Sequence, residues 1–321
     1  MEHLFIVNPA AGGVRRRVEA LQERIETVMR SCDAPYEIYF TKCPMDACRK
    51  IREKAADGHA LRVYACGGDG TLNECVNGAA GLSNVALTHY PCGTGNDYIK
   101  TFGEERALFF DLERLVHGFV HPVDLIECDD AHGERYSVNI CSVGLDARVC
   151  NDVHKYSRLP LIGGKIAYVV ALIVNMIKGP NIPLTVQAGG RTFEGKFALL
   201  CACNGQYYGG GFHPVPEARP DDGEMDSLIV REVSRLRFLK LVGKYASGRY
   251  REIKDGLVTG VRGGEVRIRS EQAFAVQIDG EVVFTKEITF RMAPEKLNML
   301  FPAGMEYFNR EREEQERMRR N

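Results

Sequence analysis

Val63-Tyr-Ala-Cys-Gly67-Gly68-Asp69-Gly70-Thr71-Leu72-Asn73-Glu74 is the stretch on which the fold turns. An apolar run is cut off by three glycines with one carboxylate among them, and a helix is expected next, so the segment reads as strand, tight loop, helix. Such a loop exposes backbone N–H groups at a helix N-terminus, where unsatisfied donors and the macrodipole both favour phosphate. Asp69 beside a phosphate is repulsive unless a divalent cation lies near both, so the loop points to metal-nucleotide rather than phosphate alone.

Upstream, residues 3–7 (His-Leu-Phe-Ile-Val) read as a buried strand running into Asn8-Pro9-Ala10-Ala11-Gly12-Gly13, whose small residues would let the backbone approach a ligand. Val18, Leu21, Ile25 and Val28 recur at helical intervals and predict an amphipathic helix over 14–30. A strand over 36–40 ends at Thr41, and a helix over 45–56 leads to the strand 61–66. Downstream the pattern repeats: a helix over 71–79, a strand over 84–89, then Pro91-Cys92-Gly93-Thr94-Gly95-Asn96-Asp97. Alternating strands and helices imply a doubly wound, mostly parallel sheet, whose ligands bind outside the carboxyl ends of the strands. Three small-residue loops at those ends predict one shared nucleotide site.

From about residue 121 the rhythm changes to short, alternating apolar segments separated by Gly, Asp and Asn, as in an antiparallel sheet or sandwich. The expected division is 1–120 for the α/β lobe, 121–305 for the β-rich lobe and 306–321 for a charged tail that reads as a solvated end. Two lobes suit 321 residues, which exceed one ordinary core of about 100–150. The helix near 166–177 is apolar nearly all round and reads as core, with an apolar cavity wall or a face resting on a bilayer as the alternative; at twelve residues it is too short for the roughly 20 that a span requires.

Lys+Arg 42 against Asp+Glu 43 leaves no net field to gather nucleic acid, so none is expected as a partner. The 11 cysteines include no Cys-x-x-Cys pair and read as reduced core residues of a cytosolic protein, with no zinc site. The N-terminus lacks a basic segment followed by a long apolar one, and no signal peptide is expected. An exposed sheet edge could pair two subunits into a homodimer, although no residue pattern singles one out.

Three further segments carry chemistry with an alternative beside each. Asp-Asp-Gly at 221–223, within 216–226, is a β-turn or part of a cation loop. The run 275–283 reads as a strand that puts Asp279 and Glu281 on one face, or as a solvent-facing hairpin with Asp279-Gly280 as its turn. Asp146 is a helix cap or a cleft residue, and Asp124, expected inside a strand over 123–127, is either turned inward to a partner or on the surface.

Taken in order, Gly67 through Glu74, Gly93 through Asp97, Gly209-Gly210-Gly211, residues 216–226 and Asp279-Gly280-Glu281 resemble the bacterial diacylglycerol kinases and related lipid kinases, over nearly all of 3–302. That family shares its catalytic core with eukaryotic diacylglycerol, sphingosine and ceramide kinases. The Gly-Gly-Asp-Gly element alone would identify only the wider superfamily with NAD kinases and phosphofructokinases. The resemblance implies an ATP- and Mg²⁺-dependent kinase acting on a lipid hydroxyl, diacylglycerol first among acceptors, from the cytoplasm at the inner face of the membrane. ATP would contact Asn8, Pro9, Ala10, Ala11 and Gly12, then Thr41, then Gly67, Gly68, Asp69, Gly70, Thr71, Leu72 and Asn73, and Thr94. Asp69, Asp97 and Asp124 would form the catalytic Mg²⁺-water network. Asp222, with the main-chain oxygens of Arg219 and Glu224, would hold a structural Mg²⁺. Glu281 would accept the proton of the lipid hydroxyl with Asp279 orienting it or engaging metal-bound water, and Asp146 would approach the acceptor headgroup. The rivals are another lipid acceptor (a sphingoid base, ceramide or monoacylglycerol), a soluble-substrate kinase of the NAD-kinase kind, and a nucleotide-binding regulator without turnover.

Overall fold

The first strand of the computed structural model, β1 (Glu2–Val7), is flanked on both sides by parallel partners, which explains why Leu4, Phe5 and Ile6 are apolar without alternation. The structure describes residues 1–9, 15–157 and 164–310; Ala10, Ala11 and Gly12 and the tail beyond 310 lie outside the described residues. The chain continues as α1 (Arg15–Cys32), β2 (Tyr36–Phe40), α2 (Asp46–Ala55), β3 (Leu61–Gly67), α3 (Asp69–Ala79) and β4 (Val85–Pro91). A 3-10 segment, Tyr98–Phe110, and the short α4 (Leu112–Val116) lead to β5 (Phe119–Val123).

The second half comprises β6 (Ile126–Asp130), β7 (Gly133–Ser137), β8 (Ile140–Gly144), α5 (Leu145–Ser157), α6 (Gly164–Lys178), β9 (Ile182–Ala188) and β10 (Arg191–Cys203). It closes with β11 (Asp226–Arg231), α7 (Arg235–Ala246), β12 (Val258–Arg262), β13 (Val266–Ile278), β14 (Glu281–Met292) and β15 (Leu297–Phe301). The strands from β6 to β14 form a nine-stranded antiparallel sheet. β10 and β13 are long enough to pair twice, with β9 through their first halves and with β8 through their second halves. Alternation along β10 sends Leu199, Cys201 and Cys203 into the core under α5 and α7, and Leu200 and Ala202 into the core on the opposite face. The α/β lobe and the β-rich antiparallel lobe are thus both as expected.

The division at residue 120 differs from the topology. The first sheet runs β2-β1-β3-β4-β15-β5, so β15 returns from the far end of the chain to lie parallel to β4 and antiparallel to β5. Its Phe301 packs edge-on against Phe102 and Phe109 of the first lobe, which burial of large aromatic surfaces favours. The tail is corrected likewise at its start. Tyr307 and Phe308 join the same aromatic cluster, and Glu105 accepts the N–H groups of Glu306 and Tyr307.

The helix at 166–177 is only half core. Ala167, Ala171, Asn175 and Met176 are buried, whereas Val169, Ile173 and Ile177 are exposed. Asn175 donates to the buried carboxylate of Asp152 on α5 (3.0 Å), which accounts for one amide in an apolar helix.

Candidate active site

The carboxyl ends of β1, β3 and β4 meet at a single edge. β3 stops at Gly67, α3 starts at Asp69, and Gly68 between them is extended with no side-chain cap, leaving the helix's first N–H groups open. A Cβ on Gly67 would collide with the Thr71 side chain, and a Cβ on Gly93 would collide with the Cα of Gly68, so the two glycine loops touch backbone to backbone. The Gly67 carbonyl accepts the N–H groups of Cys92 (2.8 Å) and Gly93 (3.2 Å) and fixes that contact. Asn8 donates from its side chain to Thr71 Oγ1 (3.1 Å), and the Thr41 N–H donates to the Val7 carbonyl (3.0 Å), bringing the ends of β1 and β2 to the same edge. Pro9 and Thr94 are exposed there. A cavity of 340 Å³ opens beside this edge, with Asn8, Cys66, Tyr90 and Cys92 among its walls.

Asp69 and Asp97 converge on Gly95: a Cβ there would lie 2.5 Å from Asp69 Oδ2 and 3.8 Å from Asp97 Oδ2. Asp69 accepts the Asp97 N–H (2.6 Å), while Asp97 receives Lys100 Nζ (2.5 Å) and the Gly210 N–H (2.9 Å). Desolvation, then the neighbouring Asp97 carboxylate, pushes the Asp69 carboxyl up to about 6, against the pull of the Asp97 and Asn96 N–H groups. A divalent cation fits this donor set. Two hard oxygen ligands with an open phosphate cradle beside them match the way Mg²⁺ shares one or two carboxylates with nucleotide phosphates. Among the described residues no three His, Cys, Asp or Glu side chains form a complete metal cluster.

The second lobe closes over this edge through the turn between β13 and β14. Glu281, exposed, sits above Gly70, where a Cβ would meet Glu281 Oε1 at 2.7 Å. Gly280 faces Asp69, and its carbonyl accepts the Cys150 thiol of α5 (3.3 Å). Asp146, one helical turn before Cys150, accepts the Tyr208 hydroxyl (2.7 Å), which in turn bonds Tyr245 (2.9 Å); burial raises Asp146 to about 6. Asp146 also accepts the Ala147 N–H (2.9 Å), so it works as a helix-start residue on α5, the helix that touches Gly280.

Several expected roles change. Asp279 and Glu281 do not share a strand face. Asp279-Gly280 is a two-residue turn with φ 47° and 96°, as a tight hairpin requires, and alternation does not carry through it. Nor does the turn face solvent. Asp279 is 6% exposed and accepts from Ser137 Oγ (2.5 Å), the Asn73 side chain (3.4 Å) and the N–H groups of Val138 (2.9 Å), Asn139 (3.2 Å) and Ile140 (3.0 Å). Its carboxylate is held by the β7–β8 turn and in turn holds the hairpin. Asn73 correspondingly donates to Asp279 and the Tyr136 carbonyl (3.2 Å), and Leu72 is buried in the first core, so both side chains face away from the nucleotide edge.

Asp124 lies between β5 and β6, buried, and bonds the Gly223 N–H (2.7 Å) and Lys296 Nζ (2.7 Å). It therefore ties down the 216–226 loop, and the structure joins it there rather than to Asp69 and Asp97. In that loop Asp222 accepts the Glu224 N–H (3.0 Å) and pairs with Arg262 (2.6 Å). Arg262 thus shares the carboxylate that the family resemblance assigns to a structural Mg²⁺, and Asp-Asp-Gly forms a turn with Gly223 at φ 78°. Lys100, Tyr208, Tyr245 and Lys296 went unmarked in the sequence. Only Lys100, three residues after Asp97 on a helical segment, had a local signal.

Residues 2–128 match the diacylglycerol kinase catalytic domain, and residues 139–301 match the YegS C-terminal NAD kinase beta sandwich-like domain. A candidate lipid kinase of Staphylococcus haemolyticus is 26% identical over 261 residues, 81% of this chain and 82% of that protein. Similar folds occur in two Bacillus anthracis proteins described as diacylglycerol kinases, the first of them as a candidate one. They have TM-scores of 0.72 and 0.66, at 24% and 21% identity, over 94% and 95% of this chain and 98% of each of theirs. With both lobes matched in order, the chain belongs to the diacylglycerol kinase family of lipid kinases.

Proposed function

We propose that the protein transfers the γ-phosphate of ATP to the free hydroxyl of diacylglycerol, giving phosphatidic acid and ADP in a Mg²⁺-dependent reaction at the cytoplasmic face of the membrane. The observation that carries the reading is the position of Glu281 over Gly70, with Asp69 and Asp97 beside the same glycine loop. The open N–H groups of Gly70 and Thr71 would orient the phosphates. The lipid hydroxyl oxygen attacks the γ-phosphorus as the bond to the β,γ-bridging oxygen breaks, and the hydroxyl proton passes to a Glu281 carboxylate oxygen. Phosphoryl transfer has a loose transition state, so positioning and charge neutralisation carry most of the rate. Mg²⁺, held by Asp69 and Asp97, would supply that neutralisation. Lys100 keeps Asp97 oriented, and Cys150 and Asp279 hold the hairpin that presents Glu281.

The test is phosphate transfer from γ-labelled ATP to detergent-dispersed diacylglycerol, monoacylglycerol, ceramide and a sphingoid base, with NAD as the control. Label on diacylglycerol above the other lipids is expected. Label on NAD and on no lipid would overturn the reading.

A further inference from the structure

Five of the exposed large apolar side chains lie on two helices that meet. Val169, Ile173 and Ile177 (51%, 53% and 68% exposed) recur every fourth residue along α6, and Leu236 and Leu239 (75% and 62%) begin α7. Arg235 joins the helices by donating to the carbonyls of Met176 (2.9 Å) and Ile177 (2.6 Å), which puts Ile177 and Leu236 at the junction. Both helices bury apolar side chains on their inner side, Ala171 and Met176 on α6 and Phe238 and Tyr245 on α7, so the exposed stripe is a second apolar face where a surface helix is usually polar.

The two helices are basic as well. α6 and α7 carry Lys165, Lys178, Arg235, Arg237, Lys240 and Lys244, with no Asp or Glu, in a chain whose net charge is −1. Three of the six meet carboxylates from neighbouring segments: Lys178 with Asp152, Arg237 with Asp255 and Lys244 with Glu252. Arg235 and Lys240 meet none among the described residues, so the two helices keep a positive excess in their own composition.

We infer that the α6–α7 face is a docking surface for an anionic phospholipid bilayer, on which it lies without crossing. An amphipathic helix with a basic flank sits at the headgroup boundary in this way, combining apolar burial with attraction to anionic lipid. At 15 residues α6 is too short to span, and no described helix is long and apolar enough to cross. The face also continues to the cleft. α6 is pinned to α5 through Asn175 and Asp152, and α5 touches the Gly280 carbonyl through Cys150, so docking would set the acceptor side of the site against the bilayer. The inference rests on the lipid-acceptor reading for its purpose, but not for its measurement.

The experiment is flotation of the full chain with vesicles of phosphatidylcholine alone and with a phosphatidylglycerol fraction, for wild type, Leu236→Asp/Leu239→Asp and Lys240→Glu. Wild type should bind the anionic vesicles about tenfold more tightly than the neutral ones. The double variant should lose at least about tenfold and Lys240→Glu several-fold, at unchanged melting temperature. Phosphate transfer to detergent-dispersed acceptor should stay within about twofold of wild type, since none of these residues lines the cleft. No wild-type binding, or variants that bind as wild type does, would overturn the inference. So would a double variant that turns a dimer into a monomer while vesicle binding persists, because the face would then belong to a second copy. Vesicle binding without transfer to any detergent-dispersed lipid would instead overturn the acceptor reading and leave the docking surface standing.

Discussion

Two acidic residues two apart, Asp279 and Glu281, have opposite fates, and the cause is a single backbone angle. At φ 47° Asp279 turns its carboxylate into the protein, while Glu281 begins β14 and stays open to the cleft. Sequence supplied both residues and the family roles, but five hydrogen bonds from segments far away in the chain could not be read from it. Asp279→Ala should therefore lower unfolding stability in denaturant by at least about 3 kcal/mol, because several buried N–H groups lose their acceptor. Asp279→Asn, which tolerates the left-handed conformation, should lose less; equal loss for the two would contradict the network. Asp146 gives a pH-dependent test. Its carboxyl, raised from 3.8 to about 6, binds more protons folded than unfolded between those values. Wild-type stability should thus fall as pH rises through that window, with the full cost present above about 6. Asp146→Asn should gain on the order of 1–3 kcal/mol at pH 7.5 relative to its effect at pH 4. The same difference at both pH values would contradict that assignment.

At the scale of elements, the glycine loops were legible because their chemistry is local. A strand ending in Gly67-Gly68-Asp69 predicts a helix start, and α3 starts there. What sequence did not show is that Gly68 and Gly93 approach through their backbones, since that contact joins loops from different strands. Gly93→Ala should force the loops apart, costing about 1–3 kcal/mol of stability, as overpacking does. It should also weaken ATP binding measured by calorimetry. Wild-type affinity and melting would show that the loops are not in contact. The 216–226 loop was legible only in part, for the same reason. Asp-Asp-Gly shows its turn locally, but the ion pair of Asp222 with Arg262 of β12 joins segments 40 residues apart.

For the whole molecule, the two lobes followed from the change in rhythm near residue 120, and the return of β15 to the first sheet did not. A five-residue apolar strand carries no mark of which sheet it will join, and its partners β4 and β5 are remote in sequence. The helix at 166–177 was legible only as apolar: an all-apolar pattern does not say which face is buried and which stays uncovered. The topology makes its own prediction. A fragment of residues 1–120 lacks β15 and the aromatic residues Phe301, Tyr307 and Phe308 that cover Phe102, so it should show no cooperative thermal transition. A sharp transition near that of the full chain would mean that the first lobe folds without its returning strand.

Glu281, poised over Gly70, is the group proposed to take the proton of the lipid hydroxyl. The direct measurement is phosphate transfer from γ-labelled ATP to diacylglycerol by Glu281→Gln beside wild type, with ATP affinity measured on the same samples. A loss of kcat of about 10²–10⁴-fold, the usual worth of a general base, is predicted with ATP affinity within about twofold. Turnover at the wild-type rate, or an equal loss of ATP affinity, would contradict the account.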